Sequence, residues 1–186
     1  RRNNDGCVGD SLSDASPMDA GLLATAQGLM EFHSSHQFCS RCGSRMMLAK
    51  LGACCKCTSC KRVVYPRLDV ASIMLITTTL SSSQEKEYCL LGRKAMWPAG
   101  RYSTLAGFAE VGETMEDCCV REVYEESGIR VDPSSVRFVA SQPWPFPQSL
   151  MVGFHAKAEA TTTMDDHDDD GLPLITIDKD EMEDIQ

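Results

Sequence analysis

The period of apolar and polar positions changes several times along this chain. From Leu22 to His36 (LLATAQGLMEFHSSH) apolar residues recur at helical spacing, with Leu23, Ala26, Met30 and Phe32 near one face, which predicts a short amphipathic helix. Phe38–Tyr65 has no such period and is crowded with cysteine. Val70–Thr78 is β-branched and apolar; it predicts a strand, with Ser81–Glu87 as a polar turn and Tyr88–Leu91 as the returning partner. Trp97–Ser103 reads as loop and Thr104–Ala109 as a strand. Neither Pro nor Gly interrupts Thr114–Ser127, where Met115, Cys118, Cys119, Val120 and Val123 fall at roughly helical spacing. Gly112 ahead and Gly128 behind punctuate that helix. Val136–Ser141 and Ser149–Ala158 are further strands. Between them, Pro143, Pro145 and Pro147 predict a stiff extended loop over Gln142–Gln148 in place of a central strand. Thr161–Asp170 (TTTMDDHDDD) reads as a solvated acidic loop, His167 included. One strong helix among interleaved strands implies an α+β protein, an α/β/α sandwich around a mixed sheet, preceded by a small cysteine-rich module.

Length and charge narrow the choices. The 186 residues, 42% hydrophobic, suffice for one packed domain and a small module. Formal net charge is −9, which argues against general affinity for nucleic acid and obliges an anionic substrate to meet metal ions or local basic residues. No apolar run has the length of a membrane span, and no apolar segment opens the chain as a secretory signal would. Arg1–Ala20 has linker composition and suggests the tail of a further domain; the acidic end at Gln186 suggests a domain not yet closed. The expected divisions are a linker over 1–20, a helix and cysteine module over 21–68, and the main domain over 69–186.

Ten cysteines in an exported miniprotein would suggest disulfides, but two C-x2-C pairs favour metal ligation in a reducing compartment. Cys39, Cys42, Cys57 and Cys60 would close a tetrahedral thiolate shell around Zn²⁺. Cys54 and Cys55 create an ambiguity, because Cys55-x4-Cys60 would also close a site; the symmetric spacing of Cys57 favours it for the third position. Four thiolates leave no open coordination position, so this zinc is structural rather than catalytic. Cys7, Cys89, Cys118 and Cys119 read as ordinary packing cysteines.

The chemistry concentrates on the second helix. Glu122, Glu125 and Glu126 stand at i, i+3 and i+4, so their carboxylates share one face. Like charges at that spacing destabilise a helix by roughly 0.2–0.5 kcal/mol per pair. A hard divalent cation such as Mg²⁺ converts the liability into a site; without one it is simply a solvated acidic face. Arg121, four before Glu125 and in register with Glu113, is placed to orient a carboxylate.

Gly107–Ile129 (GFAEVGETMEDCCVREVYEESGI) fits G-x5-E-x7-R-E-U-x-E-E-x-G-U, with U apolar, at every fixed position. This window resembles the signature of the Nudix hydrolases. Three further segments narrow the likeness: the cysteine module running into Tyr65-Pro66-Arg67-Leu68-Asp69, Tyr102–Gly107 (YSTLAG), and Ser141–Ser149 (SQPWPFPQS). Together they resemble the NADH pyrophosphatases within that superfamily, over about Gly21 to Gln186. Val70 departs from the family's usual proline after Y-P-R-x-D, and the insertion near Asp165–Asp170 is unusual. The resemblance implies cleavage of the pyrophosphate of NAD(H) to AMP and nicotinamide mononucleotide, and of NAD caps on RNA, with structural zinc and catalytic Mg²⁺ or Mn²⁺. It implies Glu122 and Glu126 as ligands of the catalytic ions, Glu125 as ligand or general base, and the Ala106 carbonyl and Glu181 as further ligands. Phe108 would stack on a base, with Tyr65 a second aromatic candidate, while Trp144 and Gln148 would shape the nucleotide pocket. It also implies a homodimer, no membrane association, and a cytoplasmic or peroxisomal location. A Nudix hydrolase of ADP-ribose or a diadenosine polyphosphate, or a non-catalytic zinc-ribbon binding module, are the competing readings.

Overall fold

A computed structural model describes residues 16–80, 83–159 and 172–186. The linker over 1–15 with Cys7, and the acidic insertion with His167, lie outside the described residues. The chain gathers into two compact units, one of residues up to Leu68 with Pro143–Ser149, the other of Asp69–Gln142 with Leu150–Gln186. The SQPWPFPQS block is thus divided between them.

In the first unit, helix α1 spans Pro17–Ser35 and starts five residues ahead of the expected Leu22. Its start is a capping box: the Asp19 N–H donates to Ser16 Oγ at 3.2 Å, and the Ser16 N–H donates to Asp19 Oδ2 at 3.2 Å. The expected apolar stripe is mostly unburied. Phe32 is fully buried, whereas Leu23 is 54% and Met30 68% exposed. The reason is the size of what lies beneath, a cluster of Phe32, Met46, Cys39, Cys55 and Cys57 too small to cover more than the last turns of the helix. Strands β1 (Met46–Ala49), β2 (Cys54–Cys57) and β3 (Val63–Val64) form an antiparallel sheet in that order. Met46 opposite Cys57 faces this cluster, while Met47, Lys56 and Val63, in register with one another, share the other face.

The second unit is built on β4 (Asp69–Leu80). Strands β5 (Ser83–Cys89) and β7 (Leu105–Phe108) pair with it antiparallel at its two ends, Thr77 opposite Cys89 and Ala71 opposite Phe108. The sheet continues through β9 (Ser149–Lys157) to β8 (Arg137–Trp144), in the order β5-β4-β9-β8. Gly92–Arg93 (β6) pairs with Asp184–Ile185 (β10) in a separate ribbon. Helix α2 (Met115–Ser127) packs on β7 and β4 through the fully buried Cys119 and Val123, against Met74 and Leu105. Each such side chain contributes about 1.5–3 kcal/mol on burial.

Two strand boundaries differ from expectation. The stretch assigned to a polar turn already pairs from Ser83, because an outer strand tolerates polar residues on its exposed edge. Likewise β8 runs through Pro143 to Trp144, where a loop was expected. It is the outermost strand and exposed along its length, so the missing proline N–H costs the sheet nothing. The loop shrinks to Pro145–Gln148. Among the described residues no helix is long and apolar enough to cross a membrane.

Candidate active site

Helix α2 is fixed at both ends by local chemistry. The Asp117 N–H donates to Thr114 Oγ1 at 3.1 Å, and Gly128 takes the left-handed conformation at φ 72° with its N–H on the Tyr124 carbonyl. The three box glutamates then occupy very different surroundings on one helix. Glu126 is 2% exposed, Glu122 is buried and Glu125 faces solvent.

Arg121 organises this face. Its Nε and Nη2 donate to the two oxygens of Glu113 at 2.7 and 2.8 Å, and Nη1 donates to Glu122 at 2.8 Å and Glu125 at 2.9 Å. Nη2 also donates to the Phe108 carbonyl at 2.9 Å. Every arm of the guanidinium is committed within the protein, so Arg121 is a positioning group. The pairing holds Glu113 far below the usual carboxylate range, at about 2, with Arg121 the main cause and burial opposing. Because the folded pKa is depressed from an ordinary 4.5, this pair's contribution is complete above about pH 4.5 and fades as pH falls through 2. In melting curves, wild type should therefore exceed Glu113→Gln by a margin that is constant above pH 5 and shrinks steadily toward pH 2.

Strand β7 brings Ala106, Gly107 and Phe108 under this face, Ala106 opposite Ile73. Gly107 has a specific reason to lack a side chain. A Cβ there would fall inside the Glu122 carboxyl group, so that carboxylate occupies the space a side chain would need. Gly107→Ala should therefore expel Glu122 and weaken Mg²⁺ or Mn²⁺ binding about 10–100-fold while the chain stays folded. Titration calorimetry with Mn²⁺ beside a thermal melt checks both halves.

Glu126 is the most deeply buried of the three box glutamates. Its Oε2 is buried with no hydrogen-bond partner among the described residues. Burial pushes its pKa up to about 7; Lys94 opposes the rise, and Glu122, Glu181 and Glu125 add to it. A buried, orphaned carboxylate oxygen ringed by other carboxylates fits a hard divalent cation of the Mg²⁺ or Mn²⁺ type. Glu181 reaches this neighbourhood because the C-terminal segment runs beside the end of α2. The Thr176 N–H donates to the Ser127 carbonyl and the Asp178 N–H to the Glu126 carbonyl at 2.8 and 3.1 Å. Farther on, Arg93 pairs with Glu183, and the Tyr102 hydroxyl donates to Asp184. Lys94 was not singled out from sequence: it follows a two-residue strand, with no periodicity or motif of its own.

The other expected residues fall in the first unit, apart from Phe108, which is 59% exposed on β7. Cys39, Cys42, Cys57 and Cys60 bring their sulfurs within 4.8 Å of one another. The Cys39–Cys60 and Cys42–Cys57 separations are 3.7 and 3.5 Å, against about 3.8 Å for the edges of a zinc tetrathiolate. Both knuckles close through a left-handed residue after the second cysteine, Gly43 at φ 70° and Lys61 at φ 62°. Backbone and side-chain donation from Ser44 lowers the Cys42 thiol to about 6, the direction a metal-bound thiolate needs. Cys55 lies outside this group, packed with Phe32. The donor set fits zinc with no position to spare. Tyr65 is half exposed and accepts from Lys50 Nζ at 2.7 Å. Trp144 and Gln148 line a cleft of about 260 Å³ with Arg67 and the small residues Gly21, Ala24 and Gly28 of α1.

Comparisons with known proteins agree with this anatomy. The NUDIX domain profile matches residues 74–184, and the NADH pyrophosphatase zinc ribbon domain matches residues 34–65. The chain is 40% identical over 146 residues to the mitochondrial NAD(P)H pyrophosphatase NUDT13 of Homo sapiens, covering 78% of this chain and 39% of that protein. It is 39% identical over 176 residues to the NAD-capped RNA hydrolase NUDT12 of Homo sapiens, covering 90% of this chain and 34% of that protein. It therefore spans well under half the length of these curated relatives. A crystal structure of a NUDIX hydrolase from Nitrosomonas europaea matches the fold with a TM-score of 0.55 at 24% identity, over 81% of this chain and 76% of that one. With the glutamate face, the thiolate tetrad and both profiles in agreement, the chain belongs to the Nudix family and carries the zinc ribbon of the NADH pyrophosphatases.

Proposed function

We propose that this chain hydrolyses the pyrophosphate of NAD(H), releasing AMP and nicotinamide mononucleotide, and that the same bond at the 5′ end of NAD-capped RNA is a further substrate. The observation that carries the proposal is the buried Oε2 of Glu126, without a hydrogen-bond partner among the described residues, beside Glu122 on a helix held by Arg121. The names of the relatives, an NAD(P)H pyrophosphatase and an NAD-capped RNA hydrolase, support the choice of substrate.

Glu122 and Glu126, with Glu125, Glu181 and the Ala106 carbonyl, would hold Mg²⁺ or Mn²⁺. Such ions neutralise the charge that repels a nucleophile from a pyrophosphate and lower the pKa of water. Arg121 keeps Glu122 and Glu125 oriented without touching substrate. Water adds to one phosphorus as the bridging P–O bond breaks, and a box glutamate accepts its proton, a role worth roughly 10²–10⁴-fold. Glu125, the exposed member of the three, is free to exchange that proton with solvent. Phe108 offers an exposed ring for base stacking, and Trp144 with Gln148 shapes selectivity. The reading includes a homodimer formed through the zinc-bearing unit. The reading also includes a cytoplasmic or peroxisomal location.

Product analysis decides the matter. Incubated with Mg²⁺ or Mn²⁺, the protein should convert NADH to AMP and reduced nicotinamide mononucleotide faster than it cleaves ADP-ribose or diadenosine polyphosphates. Preference for either of the latter would replace this assignment.

A further inference from the structure

The net charge of −9 conceals a sharp segregation. Residues 37–68 contain seven Lys or Arg and no Asp or Glu, which leaves 11 basic and 27 acidic residues for the remainder. Even after a zinc tetrathiolate contributes −2, this module carries about +5. All seven basic residues are exposed, and the ion pairs seen among the described residues are made by Arg93 and Arg121, outside this module. Cations of a merely solvated surface are ordinarily interspersed with acids, and here they are not.

The fold also concentrates them. Arg41 lies within the first knuckle, and Lys61 and Arg62 close the second, where the Cys57 N–H donates to the Arg62 carbonyl at 2.8 Å. Arg45 joins both, because the Thr58 N–H and Oγ1 donate to its carbonyl at 3.1 and 3.0 Å. Phe38 is bridged to Arg45, is 62% exposed, and has the Arg45 guanidinium 5.5 Å from its ring centroid. An unburied ring with one guanidinium beside it, and three further exposed cations on the two adjoining knuckles, offers a base a stacking surface and offers consecutive phosphates their counter-charges.

We propose that the zinc-knuckle end of the ribbon, comprising Phe38, Arg41, Arg45, Lys61 and Arg62, is a binding surface for single-stranded RNA that contacts backbone and bases without reading sequence. The choice of RNA rests on the capped-RNA reading above; the phosphate and stacking contacts stand on the ribbon alone. An exposed aromatic favours a single strand, since bases in a duplex are already stacked.

The test uses zinc-loaded protein without Mg²⁺ and an uncapped, fluorescein-labelled RNA of about 20 nucleotides, which lacks the pyrophosphate altogether. Anisotropy should report binding that weakens steeply with salt. The combined variant Arg41→Gln, Arg45→Gln, Lys61→Gln, Arg62→Gln should lose at least about tenfold in affinity and flatten the log K against log salt slope by roughly two to three. Phe38→Ala should lose about 5–100-fold with the slope unchanged. Zinc content measured on each variant shows that the ribbon is intact, and single substitutions replace the combined variant if it loses metal. NADH cleavage should be unaltered in all of them, which separates this inference from the hydrolytic one: either activity can fail alone. Absence of RNA binding at low salt overturns the proposal, as does binding indifferent to these substitutions. So does tighter binding to phosphatidylserine vesicles, polyglutamate or a matching DNA strand, which would assign the surface to another partner.

Discussion

Glu126→Gln should abolish turnover, lowering kcat by at least about 10²–10⁴-fold while the protein stays folded. The amide keeps the shape of a side chain that is 2% exposed, so no cavity opens beneath α2. What disappears is the charge on an oxygen that has no hydrogen-bond partner among the described residues. The variant should accordingly melt at or above the wild-type temperature without divalent ions, because a group crowded by Glu122, Glu125 and Glu181 has become neutral. The two proteins should separate when Mg²⁺ is added: wild type gains stability by ligand linkage and the variant gains little. Saturating Mg²⁺ that restores near wild-type kcat would remove Glu126 from the site. Unchanged activity with lost stability would make it a packing residue.

Removing zinc should unfold the ribbon and leave the chemistry of α2 untouched at first. The core of the first unit is a handful of side chains, chiefly Phe32 and Met46 among the cysteines, too few to hold three short strands together. Bound zinc supplies folding energy on the order of 10 kcal/mol in such modules. Chelation, or Cys42→Ser, should expose amides across residues 38–64 in hydrogen exchange while those of 115–127 remain protected. A fully protected ribbon in zinc-free protein would show that packing suffices.

Where local chemistry decides the outcome, the sequence was legible. Helix α2 begins at its threonine cap and ends at Gly128, within a residue of where Thr114 and the flanking glycines put it. The thiolate tetrad follows from spacing. The choice between Cys55 and Cys57 does not, because both stand on the same face of β2 and strand alternation cannot separate them. The knuckle separates them: a turn closed through Lys61 brings Cys57 to the other sulfurs, and Cys55, two residues along, is left against Phe32. Non-local facts were hidden. Pro143 argues against a strand only if that strand is central, and centrality belongs to the whole sheet. Leu23 and Met30 have the spacing of a buried stripe, yet the unit they belong to is too small to receive it. Lys94 enters the acidic site from a loop with no pattern to mark it.

The space above Gly107 has a consequence for how this protein can vary. Two positions fifteen residues apart compete for one volume, so each restricts the alphabet of the other. In a library randomised at both, a β-carbon at 107 should survive selection for folding only beside a truncated residue at 122, and selection for hydrolysis should return the original pair. Tolerance at this spot is a property of the couple, invisible to any scan that alters one codon at a time.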